Sequence, residues 1–213
     1  MSRRLATVLV LALVLLSGCF TGTRPSFSDD ALAAGMPTGD PAIDAVLARF
    51  DGADSGPFTA EYDALLKFGN TTRTAVVAVE PGRRSITVGS VRYIENGVTT
   101  ETCSIDATTL CSNGFDPTRI SDTGITTDFY AADTARRLRR DAQAKIGPTV
   151  ARTETIAGQT AECIEVPLSG GTAVYCVLDN GVLALLDDGD VRVTLTRFAP
   201  EVDQALFDEP ADN

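Results

Sequence analysis

Five cysteines, a large excess of acid and no histidine bound the chemistry open to this chain. Without an imidazole there is no Ser-His-Asp or Cys-His arrangement and no His ligand for a metal. No glycine-rich phosphate loop sits at a strand-to-helix junction. Glu162 and Glu165 are a carboxylate pair of the kind used in acid–base work, but their spacing puts them on opposite faces of one strand. Asp187, Asp188 and Asp190 surround Gly189 like a calcium loop, yet the twelve-residue ligand spacing and its closing Glu are missing, and a hairpin turn accounts for them. The expectation is a protein that is not an enzyme and uses no cofactor or metal. A formal net charge of −11 also argues against nucleic-acid binding.

Disulfide formation is the chemistry the cysteines do suggest. Cys103, Cys111, Cys163 and Cys176 are an even set suited to an oxidising compartment. Proximity pairs Cys103 with Cys111 and Cys163 with Cys176, although four cysteines allow three connectivities. For Cys103 and Cys111 the alternative is a pair of free or metal-binding thiols.

The fifth cysteine, Cys19, follows Arg3-Arg4, an apolar run from Leu5 to Leu16, and Ser17-Gly18. These are the parts of a secretory signal, and the run is short for a bilayer span. Leu16-Ser17-Gly18-Cys19 resembles the lipobox of bacterial lipoproteins, which implies cleavage before Cys19 and lipid modification of that residue. The alternative is an ordinary secretory signal with an incidental cysteine. Residues 1–18 are then a signal peptide, whose removal takes the charge from −11 to −13. Residues 19–40, rich in Thr, Ser, Gly, Pro and Asp, form the anchor and a flexible tether with a reach of roughly 25 Å. The expected location is the outer face of the bacterial cell membrane, in the cell envelope.

One domain over 41–210 must position everything else. Asp40-Pro41 starts a short helix over 41–50, with Ile43, Val46, Leu47 and Phe50 at helical spacing. Period-two alternation from Phe58 to Phe68 predicts a long half-buried strand. Residues 72–79 and 84–94 form a hairpin about Pro81-Gly82, with a bulge at Gly89, and Asn96-Gly97 turns the chain again. Residues 101–127 read as a surface excursion clipped by Cys103 and Cys111. A helix over about 133–146, capped by Asp133 and stopped by Gly147-Pro148, presents Ala135, Leu138, Ala142 and Ile146 inward. A strand near 149–156 and a turn at Ala157-Gly158 follow, and residues 200–207 close the chain as a short helix or turn.

Between Cys163 and Phe198, tight turns at Ser169-Gly170, Asn180-Gly181 and Asp188-Gly189 predict a four-stranded antiparallel meander. Folding about them pairs Cys163 with Cys176, Ile164 with Tyr175, Leu178 with Leu183, Ala184 with Val193, and Leu186 with Val191. Paired residues share a face. One face therefore carries an apolar wall: Ile164, Val166, Tyr175, Val177, Val182, Ala184, Leu186, Val191, Val193 and Leu195. In this register Cys163 and Cys176 form a non-hydrogen-bonded pair, where a cross-strand disulfide fits.

Arg136, Arg137, Arg139 and Arg140 are a basic cluster in an acidic chain. They suit either anionic head groups or a solvated helix face, with Asp133, Arg137 and Asp141 at ion-pair spacing.

This order of elements resembles the LolA/LolB-like lipoprotein carriers and the related mycobacterial lipid-binding lipoproteins. The echoes are Phe58-Thr59-Ala60-Glu61-Tyr62, Pro81-Gly82-Arg83-Arg84, and Val202-Asp203-Gln204-Ala205-Leu206-Phe207 before Glu209-Pro210. The resemblance implies an α+β fold, a curved, unclosed, half-barrel-like antiparallel sheet with helices on its concave face. It also implies acyl-chain lipid, or another hydrophobic ligand, in a cavity floored by the wall and roofed by the 133–146 helix. The alternative is a tethered envelope module with no ligand cavity that recognises a protein partner.

Overall fold

The computed structural model describes residues 32–53, 56–106 and 111–209, all within one compact unit. Helix α1 (Pro41–Phe50) begins where expected: Asp40 accepts from the amides of Ala42 and Ile43, and Pro41 needs no amide partner at the first position.

A first meander follows, β1 (Phe58–Leu66), β2 (Thr71–Glu80), β3 (Arg83–Val88), β4 (Val91–Asn96), β5 (Thr100–Ser104) and β6 (Cys111–Asn113). A 3₁₀ turn (Pro117–Ile120) and helix α2 (Ala132–Ala144) lead to a second, β7 (Val150–Ile156), β8 (Gln159–Leu168), β9 (Gly171–Leu178), β10 (Leu183–Asp187) and β11 (Val191–Ala199). A 3₁₀ turn at Gln204–Phe207 follows. β11 returns beside β1, so all eleven strands form one antiparallel sheet in the order β6-β5-β4-β3-β2-β1-β11-β10-β9-β8-β7. The sheet does not close: β6 and β7 are its two edges.

The α+β class is therefore corrected. With eleven strands in one sheet and two α-helices among the described residues, this is a mostly-sheet fold and not a helix-packed α+β. Two stretches account for the difference. Residues 84–94 are two strands, because Gly89, at φ +57°, turns the chain with Ser90 so that Val88 pairs with Val91; it is no bulge. The Cys103 to Cys111 stretch supplies β5 and β6 at the sheet edge instead of only a surface excursion.

The second meander keeps the expected Cys163/Cys176 and Ile164/Tyr175 pairs. Near Asn180-Gly181 a register shift puts Leu183 opposite Val177 instead of Leu178. Leu186 pairs with Val193, two residues from the expected partner, because Asp188 accepts from the amides of Asp190 and Val191 and widens the turn. A slip of two preserves the face, so the wall survives it.

α2 starts at Ala132 without a side-chain cap, and Asp133 serves Arg137 at 3.0 Å instead. The helix ends at Ala144, so Ile146 is not on its inner face and is 68 % exposed. β1 stops at Leu66, which leaves Phe68 in solvent.

Candidate functional site

The sheet register extends the apolar wall beyond the second meander. Leu195, Val193 and Val191 stand opposite Tyr62, Ala64 and Leu66 of β1. Tyr62 and Ala60 stand opposite Ala75 and Val77 of β2, and these opposite Val88 and Ile86 of β3. Tyr93 and Val91 of β4 continue the row. The ten residues read from β8 to β11 are one half of a face that crosses most of the sheet.

That face is covered. All ten, Ile164, Val166, Tyr175, Val177, Val182, Ala184, Leu186, Val191, Val193 and Leu195, are no more than 2 % exposed. A void wide enough for a water molecule would leave accessible surface on its lining, and these side chains show almost none. From the helices, Ile43, Val46, Leu47 and Phe50 of α1 and Ala135 and Leu138 of α2 join the same buried cluster, with Ala142 packed at its margin. α1 packs on β8 and β9, α2 on β8, and the helices on each other. The small inner residues of α2 thus bring the helix close to the sheet.

The bulk that α2 lacks comes from the segment just before it. Ile120, Ile125, Phe129 and Tyr130 are buried in the core cluster. Phe129 sits edge-on to Tyr62 at 5.0 Å between ring centroids, and Tyr130 edge-on to Phe58 at 6.0 Å. Sequence reading missed these four because the stretch that begins at residue 101 and leads into α2 has weak periodicity. The adjacent Phe129-Tyr130 pair before an Ala-rich helix was the available signal.

Polar groups at the helix–sheet boundary are paired. The Tyr175 hydroxyl donates to Asp141 at 2.5 Å. Burial, with the Asp141 carboxylate beside it, holds the phenol well above its ordinary pKa, so it stays a donor. Arg139, itself 2 % exposed, meets Asp51 at 2.6 Å. Arg137 meets Asp133 and Asp188, which outweigh the burial that opposes its charge and raise its pKa. These two arginines hold α2 to α1 and to the β10–β11 turn, and Arg140 lies 3.6 Å from Asp141. Lys145 and Thr149, in the α2–β7 connection, both reach Asp40, whose carboxyl falls to about 2 with Lys145 as the main cause.

The remaining sequence candidates are separated. Glu162 pairs with Arg49 at 2.7 Å, while Glu165 on the other face pairs with Arg152. Asp187 pairs with Lys67 at 2.7 Å, and Asp188 is engaged in its turn. Cys103–Cys111 and Cys163–Cys176 are disulfides, so neither Glu101 nor Glu154 beside them has a thiolate to share a metal with. Cys19 lies outside the described residues, as do the signal and most of the tether. No helix among the described residues is long and apolar enough to cross a membrane.

A cleft of about 430 Å³ lies at one end of the sheet, lined by Pro57, Phe58, Leu178, Asp179, Phe198 and Pro200. A second, of about 290 Å³, lies between α1 and β7, with Ala42, Ala45, Val46, Ala151 and Ile164 on its walls.

No family model and no curated protein matches the sequence. Among solved structures the chain is similar to the crystal structure of MucB, with a TM-score of 0.50 at 12 % identity over 82 % of this chain and 65 % of that one. It also matches MucB in complex with MucA(peri), at a TM-score of 0.48 and 13 % identity over 79 % of this chain and 60 % of that one. A third match is the MucA/MucB complex of Pseudomonas aeruginosa, at 0.44 and 11 % over 78 % and 60 %. The chain thus spans at most 65 % of the MucB chains it matches. At 12 % identity the likeness to MucB is one of fold alone.

Proposed function

We propose that this chain is a cell-envelope binding module that recognises a protein partner through its surface, and that it neither stores a hydrophobic ligand nor catalyses a reaction. The observation that carries the reading is the covered wall. A ligand cavity needs unfilled space over its floor, and here Phe129, Tyr130, Ile43 and Phe50 join the wall in one buried cluster. An unfilled cavity costs about 24 cal/mol per Å³, so a solid interior is the stable arrangement without a ligand. Binding MucA(peri) is a property of MucB. For this chain the support for a protein partner is its own solid interior and strongly acidic composition.

Envelope location is supported by the two disulfides and by the signal-like start of the sequence. Lipidation of Cys19 belongs to the same proposal, and the intact mass of membrane-extracted protein tests it through the acyl increment.

Native mass spectrometry of the detergent-solubilised full chain tests the binding reading. The expected result is no lipid held non-covalently, together with a loss of about 2 kcal/mol in the Ala135→Phe variant, the cost of overpacking a filled core. Stoichiometric lipid that disappears in Ala135→Phe without loss of stability would restore the carrier.

A further inference from the structure

The two edges of the sheet differ. β6 is three residues long and clipped to β5 by Cys103–Cys111. β7 is seven residues long, Val150-Ala-Arg-Thr-Glu-Thr-Ile156, with no proline, glycine or bulge within it. Its neighbour β8 occupies one side, and no other strand pairs with it among the described residues.

The register identifies the free hydrogen-bonding groups. Ala157 and Gly158 both have positive φ, so Ile156 and Gln159 flank a tight two-residue turn and form a hydrogen-bonded pair. Alternation along the ladder then turns the amides and carbonyls of Val150, Arg152, Glu154 and Ile156 toward β8. Those of Ala151, Thr153 and Thr155 face outward, and all three residues are exposed. Long open edges of this kind are ordinarily blunted or paired.

What pairs with this edge is written in its own order of residues. About Thr153 the strand is its own complement: laid antiparallel on a second copy, Arg152 stands opposite Glu154, Val150 opposite Ile156, Ala151 opposite Thr155, and Thr153 opposite itself. The three pairs centred on Thr153 use the outward groups, each exchanging two hydrogen bonds. Val150, Arg152, Glu154 and Ile156 share the other face. Opposite charges therefore meet twice and apolar side chains twice, as cross-strand pairing favours. Val150, 53 % exposed on the isolated chain, gains a partner this way.

We propose that β7 is a homodimerisation edge, and that two copies of this chain join antiparallel across Thr153 into one continuous sheet. A two-fold axis through this pair makes the contact self-limiting, since it uses the same surface on both copies.

Sedimentation of the detergent-solubilised full chain tests the pairing through three samples. Arg152→Glu sets carboxylate against carboxylate twice, and Glu154→Arg sets guanidinium against guanidinium twice. Each alone should weaken dimerisation about tenfold or more. An equimolar mixture of the two variants should recover it, because the two carboxylates at positions 152 and 154 of one copy then face the two guanidinium groups at the same positions of the other. Damage to the internal Arg152–Glu154 and Arg152–Glu165 pairs cannot produce that recovery on mixing. A wild type that stays monomeric would overturn the proposal and leave the edge to an extended segment of a different protein. A dimer indifferent to the charge changes, or variants that do not recover on mixing, would overturn it too.

Discussion

Asp40 ties three parts of the molecule together, and replacing it separates their contributions. Its carboxylate caps α1 through Ala42 and Ile43 and accepts from Lys145 and from Thr149 at 2.7 Å. The cap contributes about 1 kcal/mol. The carboxyl is lowered from 3.8 to about 2, chiefly by Lys145. At 1.36 kcal/mol per pH unit that is about 2.5 kcal/mol, which solvent screening at a partly exposed pair reduces to about 1 kcal/mol. Asp40→Asn keeps a good cap and loses the charge, so it should cost about 1 kcal/mol at pH 7, and Asp40→Ala about 2 kcal/mol. Because the folded pKa lies below the unfolded one, the charge contribution is complete above about pH 5 and is lost as pH falls from 3.8 through 2. Urea unfolding of wild type and Asp40→Asn should therefore differ by about 1 kcal/mol at pH 6 and converge near pH 2. A constant difference across that range, or none at pH 6, would refute the assignment of the stabilisation to the Lys145 pair.

Gly181 has φ +84°, and a Cβ there would lie 2.1 Å from the Arg49 carbonyl oxygen and 2.9 Å from Ala53 Cα. Gly181→Ala should cost about 3 kcal/mol in urea unfolding. Gly158→Ala, with φ +75° and open space, should cost only the left-handed penalty of about 1 kcal/mol. Replacing Cys163 and Cys176 together by Ala should cost about 3 kcal/mol under non-reducing conditions, and peptide mapping of the wild type should find these two residues bridged. Tyr175→Phe strands the Asp141 carboxylate without its buried donor, and thermal unfolding should report a loss of about 2 kcal/mol.

Where local chemistry decides conformation, the sequence was readable. Asp40-Pro41, Pro81-Gly82 and Ala157-Gly158 each start or turn an element through a cap, a fixed φ or tolerance of positive φ, and the turn at Ser169-Gly170, though neither residue takes positive φ, stands where it was expected and sets the Cys163/Cys176 register. Gly89 shows the limit. A glycine between two apolar phases fits a bulge or a turn, and the pairing of β3 with β4, which sets Val88 opposite Val91, decides between them. The wall was legible because strand alternation assigns faces. What lies on it was not, since Phe129 and Tyr130 reach Tyr62 and Phe58 across some seventy residues of chain that no local pattern spans. The class followed the same line: counting strands requires knowing that residues near Cys103 and Cys111 join an edge, which is a tertiary fact.

The seam between β1 and β11 has a consequence for how the chain reaches this structure. Every other ladder joins strands that follow one another along the chain, whereas this one brings Thr59 beside Ala199. Hairpins of the two meanders form on local contacts, but the seam must wait for a closure whose entropy grows with the whole intervening length. Both disulfides lie inside hairpins and bridge only 8 and 13 residues of that loop, so oxidation shortens it little. During synthesis β1 is complete while its partner on one side has yet to be made. Pulse-labelled hydrogen exchange during refolding should find the amides of the β1–β11 ladder, such as those exchanged between Asp63 and Thr194, among the last to gain protection, and early protection there would mean that the two meanders do not fold separately first.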